Sequence, residues 1–322
     1  MTKRVLWSGI VLALLVATAI PAVAQQKVTI VFSSGPTGGS WIPMAASIAD
    51  VVKKKYPEIE VQVEPGGTNV NLEKIRTDKA DLGWTMATAL FDLRAGRNYW
   101  QGKQSDKHLV IANVYPNVWQ FAVPADSDIQ KVTDLKGKPV ALPDRTQSSL
   151  TEGWDLLLKV HGMTQSDLGT KSYGKVSDNV ELIKDRKAVA MAWFTTVPGN
   201  FVLDLGSSRK IRLLQFDDAT ITKLKELNAG FARHVIPKGT YTGSGIDEDV
   251  RTYQTPAMLV VSSRLPADAM YKVTKAIVEG REAMIAVAPV MRTVNAQSMA
   301  QTLGVPLHPG AEKYYKEIGV LK

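Results

Sequence analysis

The sequence predicts an α/β protein with doubly wound, largely parallel sheets, and three observations carry that expectation. Strand-like runs alternate with helical periodicity along most of the chain. Gly- and Pro-containing breaks such as PGG and DLKGKP separate them. The 322 residues, without a single cysteine, are enough for two domains whose stability comes from packing rather than disulfides.

The elements follow in order. Residues 27–32 read as a buried strand, residues 40–55 keep Ile42, Ala45, Ala46, Ala49 and Val52 on one helical face, and residues 58–63 alternate as a strand. Pro65-Gly66-Gly67 then breaks the chain, Thr68 or Asn69 caps a helix striped by Leu72 and Ile75, and residues 81–85 form a short strand. Two strand-like runs, 109–114 and 118–123, are divided by Tyr-Pro-Asn, and a turn at 134–143 feeds another strand. A helix at 147–161, a strand near Lys171, a helix opened by SDNVE, and strands at 188–194 and 211–216 with a helix at 220–227 complete a second βαβ set. Two separate sheets are the expectation. From about Thr255 a strand leads into helices at 266–288 and 294–303 and a last one with Pro309 in its first turn, which are expected to pack back on the first unit, so the chain crosses twice.

The chain opens with Lys3 and Arg4, an apolar run to about Ile20, and Ala22 and Ala24 in an A-x-A exit. That pattern is a secretory signal peptide over residues 1–24, which places the mature protein outside the cytoplasm. Without Lys3 and Arg4, 37 basic residues stand against 31 acidic ones, a net charge of about +6. The excess is spread along the chain. Its one tight run, Lys53-Lys54-Lys55, sits where a helix end welcomes cations and does not mark a nucleic-acid patch.

Enzyme signatures are missing: no G-x-S-x-G, no H-E-x-x-H, no complete G-x-G-x-x-G. His108, His161, His234 and His308 stand singly and read as surface or cap residues, so neither a metal nor a cofactor is expected. The stretch SSGPTGGSWIP at 33–43 follows a strand and opens a helix, where free backbone amides favour an anion. A phosphate-binding P-loop needs a lysine after the last glycine, and Gly39 is followed by Ser40 and Trp41. A nest for a carboxylate or similar small anion remains, beside the plainer reading of a tight turn.

GPTGGSWIP, EPGGTNVNLEKIRTDKADLGW, DLKGKPVAL, IPKGTYTGSGIDEDVRTYQTPAMLVVSS and LPADAMYKVTKAIVE, in this order, resemble the TAXI-class solute-binding proteins of tripartite ATP-independent periplasmic (TRAP) transporters. The resemblance implies a type II periplasmic-binding-protein fold: two doubly wound α/β lobes, joined by crossover strands at 118–123 and 257–262, with the ligand cleft between them. Lobe I would comprise residues 25–117 and 256–322, and lobe II residues 118–255. A monomer is implied that captures a small organic anion, a glutamate-like amino acid or a dicarboxylate, by lobe closure and passes it to TRAP membrane subunits.

Carried onto this chain, one wall would be Ser34, Gly35, Thr37, Gly38, Gly39, Ser40 and Trp41, beside Gly67, Thr68 and Asn69 and then Trp84, Thr85 and Met86. The other would be the Asp144–Ser149 loop, with Arg145, Thr146, Ser148 and Ser149, and the strand end from Phe194 to Val197, with Thr195 and Thr196; Tyr115 and Trp119 would stand at the hinge. Two positions depart from the family pattern. Trp41 stands where relatives tend to carry a tyrosine, and the second-lobe loop is PDRTQSS, in which Arg145 is a candidate carboxylate clamp and Asp144 a counter-charge or amine acceptor. Trp84, Trp119 and Phe194 also suit a core beneath the cleft, and Arg145 also suits a plain surface loop. A receptor of an ABC or tricarboxylate system, a sensory input protein and a periplasmic hydrolase are the competing readings.

Overall fold

The computed structural model describes residues 27–35 and 41–322. The expectations for the leader at 1–24 and for Thr37, Gly38, Gly39 and Ser40 lie outside the described residues.

Three parallel strands, β1 (Val28–Ser33), β2 (Ile59–Glu64) and β3 (Leu82–Met86), are linked by α1 (Trp41–Lys55) and α2 (Thr68–Arg76), and α3 (Ala87–Ala95) follows β3. The chain then enters β4 (His108–Pro124), a 17-residue strand that carries it into the second unit. There β5 (Val140–Pro143), β6 (Lys171–Gly174) and β7 (Ala190–Thr195) form a second parallel set, with α4 (Ser148–Val160), α5 (Val176–Lys184) and α6 (Asn200–Ser208) among them. After β8 (Ile211–Leu213), α7 (Asp218–Leu227) and β9 (Ala232–Ile236), the chain returns through β10 (Val250–Ser262). It ends in α8 (Ala267–Glu279), α9 (Arg281–Val287), α10 (Ala296–Met299) and α11 (Pro309–Glu317). Among the described residues no helix is long and apolar enough to cross a membrane.

The two separate sheets expected from the sequence are in fact hydrogen-bonded into one, in the order β2-β1-β3-β10-β4-β7-β5-β6. β4 and β10 are the reason. They run antiparallel from His108 opposite Ser262 to Val118 opposite Gln254, bridging the two parallel sets. Tyr-Pro-Asn at 115–117, read as a turn, lies inside β4 because Pro116 faces Pro256. The missing N–H donors of both strands coincide at one point, and the ladder continues on either side.

Burial separates the halves more sharply than the sheet does. One apolar cluster draws only on residues between Val118 and Tyr253, around Trp119, Phe121, Trp154 and Tyr253. Two others draw on residues 30–115 together with 257–315 and on residues 72–110 together with 258–305, so the C-terminal helices do pack on the first unit.

Other differences are local. The helix expected over 266–288 breaks at Gly280, where a Cβ would stand 2.6 Å from Ala276 O and 3.0 Å from Val51; glycine lets the α8–α9 corner close onto α1. The helix expected over 294–303 shortens to α10, since Leu303 and Gly304 take positive φ. α5 is capped two residues before the expected Ser177, at Lys175, whose N–H donates to the Asp178 carboxylate. α3, α6 and β9 were not anticipated. In α3, Ala87, Thr88, Ala89, Leu90, Asp92 and Leu93 are all buried, so its sequence shows no polar stripe to betray a helix.

Candidate functional site

Strand register locates the cleft. The C-terminal end of β3 meets β10 at Met86 opposite Ala257, which is itself opposite Tyr115 of β4; the C-terminal end of β7 meets β4 at Thr195 opposite Val118. β1 and β5 run parallel to these strands and end beside them. The carboxyl ends of both parallel sets therefore converge from opposite sides on residues 115–118 of β4. Open α/β sheets bind their ligands at such ends.

On the first side, one residue that sequence reasoning passed over ties the strand ends together. Asn71, fully buried on α2, accepts from Ser33 Oγ (2.7 Å) and Gly67 N (3.0 Å) and donates to Ser34 O and Trp84 O (both 2.7 Å). The ends of β1 and β3 and the start of α2 are thus held by one carboxamide. Gly66 is required beside it, because a Cβ there would lie 2.0 Å from Asn71 Oδ1 and 2.6 Å from Ser33 Oγ. Neither Thr68 nor Asn69 caps α2. Gly67 is the N-cap and no side chain bonds the first-turn amides, which are open to an anionic group. Gly67, Thr68 and Asn69 are half-buried there, and the Ser34 hydroxyl is buried without a partner.

The aromatic residues form the floor. Trp41, at the start of α1, is 8% exposed, stacks on Trp84 (centroids 5.8 Å apart, 18° between planes) and donates its indole N–H to Tyr115 Oη at 2.7 Å. The indole N–H is therefore engaged by β4. A side chain at Gly35 would meet Trp41 Cβ at 2.7 Å, so the glycine is needed for the indole to seat. Trp84 and Thr85 are fully buried; Met86 is half-buried, and its sulfur accepts from Asn117 Nδ2 at 3.3 Å. Trp119 is fully buried too, tilted on Phe194 at 4.6 Å and stacked on Tyr253 at 5.9 Å. These rings are packed against one another beside the converging strand ends.

On the second side, Thr195 and Thr196 are half-buried at the end of β7. Their loop is fixed by residues the sequence reading did not select. Gln120 Nε2 donates to Thr196 O (2.9 Å), Gln120 Oε1 accepts from the Tyr241 hydroxyl, and the same hydroxyl accepts from Gly199 N (2.6 Å). Burial pushes the Tyr241 phenol up to about 12, so it remains a neutral donor. A glutamine within the apolar run VWQFAVP was the available signal.

The β5–α4 loop is more exposed. Asp144 Oδ1 accepts from the Thr146 amide (2.8 Å) and hydroxyl (2.7 Å), which hold its carboxyl below the usual range. Ser148 and Ser149 are half-buried at the start of α4, which likewise has no side-chain cap. Arg145 points elsewhere: exposed, with its guanidinium 4.3 Å over the ring of Tyr173 on β6, the outermost strand of this half.

The histidines differ from expectation in one case. His108 is fully buried: Nε2–H donates to Leu72 O (2.8 Å), Nδ1 has no partner, and burial lowers its pKa to about 4. His308 is a cap, accepting from Gly310 N at the start of α11. Among the described residues no cluster of His, Asp or Glu is built to hold a metal ion.

Two parallel sets bridged by long antiparallel strands, with the cleft at their converging carboxyl ends, define a type II periplasmic-binding-protein fold. The chain belongs to the NMT1-like family, whose model matches residues 32–319. Its fold is shared with PhnD1 from Prochlorococcus marinus, solved in complex with methylphosphonate: TM-score 0.56, 11% identity, covering 92% of this chain and 100% of that one. Weaker likenesses reach the periplasmic aliphatic sulphonate binding protein SsuA from Escherichia coli (TM-score 0.48, 17% identity, 92% and 94% covered). The GluR0 ligand-binding core from Nostoc punctiforme, in complex with L-glutamate, is similar at TM-score 0.45 and 13% identity, with 80% and 96% covered.

Proposed function

We propose that the protein is an extracytoplasmic solute-binding protein that closes two lobes on a small organic anion and hands it to a transporter's membrane subunits. The observation that carries this reading is the convergence of Met86 and Thr195, from opposite parallel sets, on residues 115–118 of β4. On this reading lobe I comprises residues 25–117 and 256–322 and lobe II residues 118–255, hinged where β4 and β10 pass between them. The partition of the buried apolar clusters supports that division.

The solute's anionic character is argued from the starts of α2 and α4, where first-turn amides carry no side-chain cap on either side of the cleft. Ser34, Gly67, Thr68 and Asn69 would meet it from lobe I, and Ser148, Ser149, Thr195 and Thr196 from lobe II. The resemblance to the TAXI class supports a glutamate-like amino acid or dicarboxylate as the solute and a TRAP permease as the partner, with the receptor processed near Ala24 and working as a periplasmic monomer.

A thermal-shift panel of amino acids, dicarboxylates, hydroxy acids and neutral analogues tests the solute class. A ligand specific for the native state stabilises it by about 2.7 kcal/mol at a hundredfold excess over Kd. At least one acid is expected to raise the melting temperature while its neutral amide does not. A shift with neutral compounds alone would refute the anion assignment. Turnover of an acid by the pure protein would replace the binding role with an enzymatic one.

A further inference from the structure

α3 and the residues just after it press against the turn that joins α7 to β9 in the 118–255 half. Asn228, buried at the end of α7, donates through Nδ2 to Thr88 O and Asp92 Oδ1, both at 3.1 Å. Asp92, also buried, is held from its own side by Asn98 Nδ2 (2.7 Å) and Arg97 Nε (3.5 Å). Arg97 reaches across in turn and donates to Leu227 O at 3.0 Å. None of these residues is among those assigned above to the solute.

The turn is anchored on one side and tight on the other. Asn228 Oδ1 accepts from Gly230 N (2.9 Å), and Phe231, the next residue, stacks on Phe194 (6.2 Å) and meets Tyr253 edge-on (5.5 Å) within the apolar cluster of the 118–255 half. Gly230 lies so close to α3 that a Cβ would stand 2.4 Å from Thr88 N and 2.7 Å from Ala87 C, backbone atoms that no side-chain rotation can clear. Gly230 does not take a positive φ, so glycine is required here by the approach of the two halves and not by the turn's own conformation. Thr88 N also donates to Thr255 Oγ1 on β10 (3.3 Å), which puts the contact beside the strand pair that joins the halves.

We propose that residues 228–230 are a clasp that closes on α3, holding the lobes joined through contacts outside the solute site and so raising solute affinity. The clasp rests on the lobe-closure reading given above. A polar contact suits a joint that must also open. When the lobes part, the Asp92 carboxylate, the Asn228 amide and the Thr88 and Leu227 carbonyls exchange one another for water, whereas an apolar seam would resist parting. Affinity follows because apparent binding weakens in proportion to the fraction of protein outside the competent, joined form. Beside β10, a small displacement of the clasp is magnified at the outermost strands, β2 and β6.

The absence of cysteine makes the test direct. Val70→Cys on α2 and Ser177→Cys on α5 place one spin label on an exposed position of each half, in the first turns of the helices that follow β2 and β6. Double electron–electron resonance reads the distance between them without solute. The wild-type clasp should show a short-distance population, which Gly230→Ala should remove by wedging the turn from α3 and Asn228→Ala should deplete. In the unlabelled variants, titration calorimetry should give a Kd about tenfold weaker for the acid that raises the melting temperature, as expected when two hydrogen bonds no longer favour the joined form. A wild-type protein with no short-distance population overturns the clasp. So do variants that keep the wild-type distribution, including any that lose stability in urea while keeping it, because the turn is then fixed packing. Should both variants fold poorly, Arg97→Ala serves, since that side chain is largely exposed and bridges to Leu227 O from outside. It should shift the distribution the same way, and an unmoved one counts against the proposal. The distance readout needs no solute, so a failed acid panel leaves it intact, and a failed clasp leaves solute binding standing.

Discussion

Removing the Asn71 carboxamide should loosen two strand ends and a helix start at once. In Asn71→Ala, Ser33 Oγ and Gly67 N lose their acceptor, and Ser34 O and Trp84 O lose their donor. Each hydrogen bond contributes about 0.5–1.5 kcal/mol net, and groups left buried without partners cost about 1–3 kcal/mol each. The four effects share one network and do not add in full, so a loss of about 3–5 kcal/mol is expected. Urea unfolding reads this as a lower midpoint at unchanged slope, provided the transition is two-state. Asn71→Asp sharpens the reading, because it keeps the acceptor for Ser33 and Gly67 but sets carboxylate oxygens against two carbonyls; it should also be markedly destabilised. A cost below about 1 kcal/mol for Asn71→Ala would show that the strand ends hold without the network.

Gly66→Ala places a methyl 2.0 Å from Asn71 Oδ1 and should reproduce much of the Asn71→Ala loss in the same unfolding assay. Arg145→Ala should cost about 0.5–1 kcal/mol of stability through the lost Tyr173 stacking and change solute affinity, measured by titration calorimetry, by less than about threefold; a loss of about 2 kcal/mol in binding would make it the carboxylate clamp after all. His108 has a pKa lowered on folding to about 4, so its contribution is present above the ordinary histidine range and is lost as pH falls toward 4. Between pH 7 and 5 this removes about 2 kcal/mol, and His108→Gln should flatten that part of the stability profile.

The sequence showed the fold wherever periodicity and burial agree. α1 declared itself by an apolar stripe ending in Lys53-Lys54-Lys55, and Pro309 marked the start of α11. The joined sheet was hidden because Tyr-Pro-Asn has the local chemistry of a turn, and only the pairing of Pro116 with Pro256 keeps it extended. α3 was hidden by burial on every side.

At the site, the glycines and the strand ends were legible, whereas the groups that position them were not. Apart from the local Asn71–Gly67 bond, Asn71, Gln120 and Tyr241 act through partners 13 to 121 residues away, and no local pattern encodes such distances. Trp41 was legible as a departure from the family, but its role was not: the indole N–H that suggested specificity is donated to Tyr115.

Lobe closure on an anion is tested most directly by small-angle scattering of the cysteine-free wild-type protein with and without a saturating acid from the thermal-shift panel. Closure predicts that the acid shifts the scattering toward the profile calculated from this structure, while its neutral amide leaves the curve unchanged. An acid that raises the melting temperature but leaves the dimensions of an open protein unaltered would contradict it.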